Sequence, residues 1–392
     1  MSLVAHRPHV LVVHSSAELY GSDKSLLDFV QARQAEFEFT VALPEEGPLV
    51  GLLRAAGARV AVMDVCKVRR DMLKPAGLLA VWRSTRRSIP ALQALAGARP
   101  FELVYSNTMA VLAGALLARR AKLPHVWHVR EIVANSRLMT WGFRGLALAL
   151  ASRLVCNSGE TRAWIAGPGL RGRCEVVWNG VDSPAPVDLR EQERRTLGYD
   201  ERDLVFCFVG RLNAWKGQLL AVEAFERLNA RHPGRHRLLI VGAAFAGQEH
   251  FEAELEARLA ASPCRDAMRR LPFRDDIDSI WQASDVVLVP SLEPEPFGRV
   301  AIEAMAHGRP VIAAAHGGLV EIVEDGRTGL LFKPRDADAL AGAMERLAAN
   351  AELRLGMGAA GRGRQASLFS VAAYAERMAR VFKQTLTSQN QA

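Results

Sequence analysis

Two doubly wound α/β domains of Rossmann type, facing each other across a cleft, are the fold class this sequence predicts. Three observations carry that expectation. Short, nearly continuous apolar strands alternate with helical stretches, as in parallel sheets covered on both faces. The alternation restarts once, after a proline-rich charged stretch. The length of 392 residues suits two or three domains rather than one.

Within a first domain, 1–183, the strand candidates are HVLVVH (9–14), FEFTVAL (37–43), ARVAVM (58–63), ELVYSN (102–107), HVWHV (125–129), RLVCNS (153–158) and CEVVWN (174–179). Helical stretches lie between most of them, the first from about Asp23. PAPVDLREQERRTLGYDERD (184–203) reads as a linker. LVFCFVG (204–210), RLLIVG (237–242), DVVLVP (285–290), PVIAAA (310–315) and TGLLF (328–332) then repeat the theme in a second domain, 184–368. Apolar residues three to four apart mark a helix over 371–386, with TSQNQA after it reading as frayed. Ligands of open parallel sheets lie outside the carboxyl ends of the strands. Functional residues are therefore expected just after strands.

Composition narrows the function classes. With 49% hydrophobic and 23% charged residues the chain is an ordinary globular protein, not a disordered one. Five scattered cysteines without a CxxC pair fit reduced thiols in a cytoplasmic setting rather than a disulfide framework or zinc site. No apolar run is long enough for a signal-peptide core or a membrane span. Charge is uneven: residues 1–182 hold 23 basic and 14 acidic residues, the remainder 27 and 28. The first half should therefore meet an anionic partner. No nucleic-acid module is present. Arginines interleaved with Trp82, Trp141 and Phe143 instead suit an anionic bilayer surface, so peripheral attachment at the inner face of the cytoplasmic membrane is expected, with a solvated basic face as the alternative.

Several stretches carry chemistry. In VGRLNAWKG (209–217) a glycine turn, Arg211 and Lys216 stand between a strand and a helix, the makings of a phosphate site. It is not a P-loop. In SLEPEPFGRVAIEAMAHGRPVI (291–312) prolines hold Glu295 in an extended loop, while Glu303 falls in the first turns of a helix. LYGSDKSLLDFV (19–30) offers Gly21 for close backbone approach, with Ser22 or Asp23 as a helix cap. It could hold an anion or an acceptor hydroxyl, or be an ordinary capped turn. HVWHVRE (125–131) ends a strand with His128, Arg130 and Glu131, which places His128 on the cleft side. Gly317 and Gly318 suit close approach to a ligand. No clustered histidines, HExxH or CxxC suggest a metal, and none is expected.

VGRLNAWKG, followed by VLVPSLEPEPFGRVAIEAMAHGRPVIAAAHGGLVEIVEDGRTGLL, resembles the retaining glycosyltransferases of family 4, which have the GT-B fold. Glu295 and Glu303 match that family's E-x7-E spacing, and CNSGETRAWIAGPG…VVWNGVD (156–182) resembles the close of its N-terminal domain. The resemblance implies a hexosyltransferase acting without a metal or other cofactor on a GDP- or UDP-type nucleotide sugar. The acceptor would be a glycan or lipid-linked molecule in bacterial surface polysaccharide or lipopolysaccharide synthesis. Arg211 and Lys216 would hold the donor diphosphate. Glu295 would touch sugar hydroxyls, beside the amides of Phe297 and Gly298. The amides of Arg299 and Val300 would face the phosphates, and Glu303 would take the ribose hydroxyls. Gly21 would lie near the diphosphate, His128 near the reacting carbon and 271–273 near the base. The segment 369–392 would cross back to the N-terminal domain. YGSDKS replaces the Gly-Gly pair of many members. DID (276–278) and DAD (336–338) match the DxD pattern of metal-dependent sugar transferases but read as helix caps. A nucleotide-sugar epimerase or hydrolase on the same fold is the alternative.

Overall fold

Every residue of the first strand, β1 (His9–Val13), is buried, which requires cover on both faces. The computed structural model describes residues 6–68, 75–132, 137–184 and 188–389. The chain divides into two units, 1–180 together with 371–392, and 181–370. Unit 1 adds strands β2 (Glu38–Leu43), β3 (Arg59–Val62), β4 (Leu103–Ser106), β5 (His125–Val129), β6 (Arg153–Cys156) and β7 (Cys174–Val176). Its helices are α1 (Gly21–Arg33), α2 (Pro48–Ala55), α3 (Pro75–Ala94), α4 (Ala113–Ala121), α5 (Arg137–Leu150), α6 (Gly159–Ile165) and, from the far end of the chain, α15 (Val371–Gln389). The sheet is parallel, in the order β3-β2-β1-β4-β5-β6-β7.

Strand periodicity of two sends alternate side chains to opposite layers. Val10 and Val12 pack with Phe29 of α1, Leu49 of α2 and Phe382 of α15. Leu11 and Val13 pack with Leu92 of α3 and Leu117 of α4. Trp127 and Leu154 extend that second layer with Ala147 of α5 and Ile165 of α6. Phe29 meets Phe382 edge-on at 5.1 Å, so α15 is a core element of unit 1. It runs as helix through Gln389, beyond the expected end at 386.

Unit 2 holds β8 (Leu204–Val209), β9 (His236–Val241), β10 (Met268–Leu271), β11 (Val286–Val289), β12 (Val311–Ala314) and β13 (Gly329–Phe332), in the order β10-β9-β8-β11-β12-β13. All are parallel. Its helices are α7 (Arg190–Leu197), α8 (Gln218–Arg231), α9 (His250–Ala260), α10 (Ile277–Ala283), α11 (Arg299–Ala306), α12 (Leu319–Ile322), α13 (Ala337–Ala349) and α14 (Ala351–Leu368). Phe206, Phe208 and Ile240 pack against Phe225 of α8, Leu255 of α9 and Met344 of α13.

Three expectations need correction. The linker reading of 184–203 fails over α7, a helix that is part of unit 2; 185–187 lie outside the described residues. Its charge misled, because Arg194 is only 3% exposed and spends its guanidinium on the carbonyls of Ala283 and Asp203 and on Asp285 at 2.6 Å. A charged side chain enters a core when its donors are matched. Strand β10 was not expected. It is an edge strand pairing only with β9, and its arginines lack strand-like polarity because they reach outward, Arg269 to the Leu197 carbonyl and Arg270 to Glu252 and Glu256. Finally, Asp336 caps α13 by accepting from the Ala339 amide at 3.0 Å. Asp276 precedes α10 without such a bond, since Arg274 and Ser279 hold its carboxylate.

Burial also fixes a pH response. His125 is enclosed at the start of β5 and donates Nδ1–H to the Leu150 carbonyl at 3.0 Å, which leaves Nε2 to accept from Ser106 Oγ at 3.0 Å. Burial pushes its pKa from 6.5 down to about 4. The unfolded chain then binds the proton first. The stabilisation is complete above pH ~6.5 and is lost as the pH falls toward 4, by roughly 3 kcal/mol in all. We expect urea denaturation at pH 7.5 and 4.5 to show a large loss for the native sequence and a clearly smaller one for His125→Gln. Equal losses would contradict this account.

Candidate functional site

In unit 2 the strand order turns back between β8 and β11. The connections leaving these neighbours diverge and open a crevice at their carboxyl ends. The loop 210–217 follows β8. Asn213 Oδ1 accepts from the amides of Trp215 and Lys216, both at 3.0 Å, and folds the loop back on itself. The Leu292 amide donates to the Trp215 carbonyl at 2.7 Å and ties this loop to the one after β11. Across that seam Lys216 Nζ lies 2.8 Å from Glu295 Oε1, the lysine side chain 19% and the glutamate 6% exposed. Ser291 donates its hydroxyl to the same carboxylate oxygen. Arg211 instead lies against Phe245, its guanidinium carbon 3.3 Å from the ring centroid. The two cations expected round one phosphate thus have different partners.

The Glu295 loop is laid flat on a glycine pair. Gly318 donates its amide to the Glu295 carbonyl at 2.8 Å, and a Cβ on Gly317, whose φ is +60°, would stand 2.4 Å from that oxygen. No side chain fits there. Phe297 is buried, and Gly298 at φ +111° precedes α11. Gly298 gives the first amides of α11, those of Arg299 and Val300, no side-chain cap, and first-turn amides have no acceptor inside their own helix. Glu303 lies one turn on, its Oε1 2.8 Å from Arg299 Nε. Lys216, Glu295, Phe297, Gly298, Arg299, Val300 and Glu303 therefore share the edge that follows β8 and β11.

Unit 1 reverses in the same way between β1 and β4. Sequence reasoning missed what stands there: a buried chain of polar side chains. His14, just after β1, meets Asp23 of α1 at 2.7 Å, both side chains fully enclosed. Asp23 also accepts from Ser16 Oγ, Ser22 Oγ and the Tyr20 amide at 3.0–3.1 Å. Burial alone would raise its pKa; the contacts from His14, Tyr20 and Ser22 outweigh that and hold it below the usual value. Asn107, just after β4, donates Nδ2–H to His14 Nδ1 at 3.2 Å and to the Ser22 carbonyl at 3.3 Å. Its Oδ1 accepts from Tyr105 OH at 2.5 Å and Arg130 Nε at 3.0 Å. Arg130 continues to Asn179 Oδ1 at 2.8 Å and Tyr374 OH at 3.3 Å. The donor directions form one consistent set: His14 Nε2–H donates to Asp23, and Tyr105 spends its single proton on Asn107. The available signal was the placement of SNT, VRE and WNG directly after strands.

This chain relocates His128. The ring is completely buried in β5, with Nδ1 2.7 Å from Tyr105 OH and Nε2 enclosed without a partner among the described residues. It does not stand at the carboxyl end of the strand. Side chains of a strand covered on both faces point into the helix layers, and Val129, not His128, is the last strand residue. Burial, then Arg130, lowers its pKa well below 6.5, so the ring is neutral. Arg130 and Glu131 take the strand-end position instead. Gly21 is the exposed first residue of α1. Among the described residues no group of three or more His, Cys, Asp or Glu is placed to hold a metal.

Comparison with known proteins covers both units. Residues 190–364 match the model for glycosyl transferases group 1, and residues 21–183 that for glycosyltransferase family 4. A D-inositol 3-phosphate glycosyltransferase of Corynebacterium kroppenstedtii is 32% identical over 310 residues, 73% of this chain and 68% of the relative. One of the same name from Kribbella flavida is 39% identical over 54% of this chain. The match spans about half of that relative's length, 51%. Among solved structures, Anabaena HepE in complex with UDP and glucose superposes with a TM-score of 0.82 at 25% identity, over 96% of this chain and 100% of that one.

Asp23→Ala should leave His14 and two hydroxyls without their acceptor inside unit 1. A loss of about 3 kcal/mol is expected in urea denaturation of the full chain, with Asp23→Asn losing less. A change below about 0.5 kcal/mol, the range of ordinary surface substitutions, would remove the network from the structural account.

Proposed function

Because this chain belongs to the family 4, group 1 glycosyltransferases and has their GT-B fold, we propose that it moves a hexose from a nucleoside-diphosphate sugar to a glycan or lipid-linked acceptor, with retention at the anomeric carbon. The observation that carries this is the Lys216–Glu295 pair beside the first turn of α11, which begins after Gly298. A UDP-linked donor is the first choice, from the ligands of HepE. Lys216 and the first amides of α11 take the diphosphate. Glu295 turns to the sugar hydroxyls and Glu303 to the ribose. As the bond from the anomeric carbon to the phosphate oxygen breaks, Lys216 and the helix N-terminus stabilise the growing charge. The acceptor oxygen attacks from the same face and its proton passes to the departing phosphate oxygen. His128 has no contact in this scheme; its ring orients Tyr105 behind Asn107 and Arg130.

For the setting we infer bacterial surface polysaccharide or lipopolysaccharide assembly at a membrane face. What supports a membrane contact is exposure on the second helix layer of unit 1: Trp82 of α3 is 54% exposed, Leu138 and Trp141 of α5 are 83% and 71%. No described helix is long and apolar enough to cross a membrane.

Two measurements follow. In thermal shift, UDP should stabilise the native chain more than GDP or ADP and should lose its effect on Glu303→Ala. Lys216→Ala should keep its fold and lose turnover by roughly 100-fold or more. No nucleotide effect, or native turnover in Lys216→Ala, would sink the donor assignment. In co-sedimentation, vesicles with anionic lipid should retain the protein and neutral ones should not, with Trp141→Ala and Leu138→Ala weakening retention. Equal binding to both vesicle types would dismiss the membrane reading.

A further inference from the structure

The opposite edge of the unit 2 sheet holds a second cationic site. Where β8, β9, β11 and β12 begin, Leu204, His236, Asp285 and Pro310 line a cavity of about 630 Å³. Lys216 and Glu295 follow the other ends of β8 and β11. Arg190, Arg309 and Arg354 line the same cavity, none of them fully exposed, and the exposed Arg202 and Arg235 add charge.

Five arginines line the cavity against three acids, Glu201, Asp203 and Asp285, and Asp200 beside it pairs with Arg202 at 3.4 Å and Arg235 at 3.2 Å. Asp285 is divided between Arg190 and Arg194, each at 2.6 Å. Asp203 is divided between Arg235 at 3.0 Å and Arg237 at 3.2 Å. Arg309 has no carboxylate of its own among the described contacts. Its Nη2 donates to the Gln282 carbonyl at 3.1 Å, and its Nε is buried with no partner among the described residues. Burial, followed by the nearby charge of Arg190, lowers its pKa to about 10. Arg354 donates to the Leu347 carbonyl at 2.6 Å. A desolvated guanidinium surrounded by like charge gains most from an anion that accepts several hydrogen bonds at once. The volume suits a small molecule, and Leu204, Pro310 and Leu355 give a carbon skeleton an apolar wall.

We propose that this cavity is a second ligand site of unit 2, binding a small phosphate-bearing molecule. Arg309 and Arg354 grip the phosphate and Arg190 sets the charge behind it. The site is separate from the donor surface and does not depend on the transferase reading.

Inorganic pyrophosphate is the probe, titrated calorimetrically into the full chain in phosphate-free buffer. Lys216→Ala serves as the background, so that the donor surface is weakened. Saturable binding of about one pyrophosphate per chain should persist there. Adding Arg309→Gln or Arg354→Gln should weaken it at least tenfold, and in the native background both variants should keep the UDP thermal shift. Arg354→Gln decides the matter if Arg309→Gln does not fold. Absence of saturable binding in the Lys216→Ala background, or equal affinity in the arginine variants, would overturn the proposal.

Discussion

The reversal of strand order is the constraint on which the rest depends. Parallel strands need crossover connections, and right-handed crossovers commit each helix to one face. When a sheet grows outward from its middle in both directions, two adjacent strands must send their chains to opposite faces. The gap between those departures cannot be filled by the fold's own helices. In unit 1 it lies between β1 and β4 and in unit 2 between β8 and β11. Almost every side chain that carries chemistry here follows one of these four strands.

The two gaps are furnished differently. In unit 2 the pair Lys216–Glu295 is largely enclosed, with the lysine the more exposed partner, and the ammonium group has three protons of which one is committed to Glu295. It can donate to a phosphate oxygen without abandoning the carboxylate. In unit 1 the run from Asp23 through His14, Asn107 and Arg130 to Tyr374 is closed, with each proton directed. Such a run fixes geometry rather than offering free valence. One edge is built to exchange partners, the other to hold a shape.

Much of this was legible in the sequence. Twelve of the thirteen strands stand within a residue or two of their apolar runs, because doubly covered strands must be apolar throughout. The glutamates and Lys216 were legible because prolines and glycines announce loops after strands. What escaped depends on partners distant in sequence. Arg194 makes a charged helix look like a linker until Asp285, some ninety residues on, is brought beside it. His128 reads as a strand-end group because its neighbours are charged, and only the register of β5 with β4 and β6 turns it inward. The Asp23–His14–Asn107 chain joins three separated segments, none of which stands out alone.

The placement of α15 has a consequence for the order of folding. Tyr374, Met378 and Phe382 complete the layer over Val10 and Val12, yet they follow unit 2 along the chain. On the ribosome, the segment through Gly180 emerges with one face of its sheet lacking this cover. All of unit 2 is synthesised before the missing helix arrives. Exposed apolar sheet surface in that interval is what chaperones recognise and what drives misassembly. The discontinuous unit thus matures last although it begins first, and its closure waits on the nineteen residues of α15.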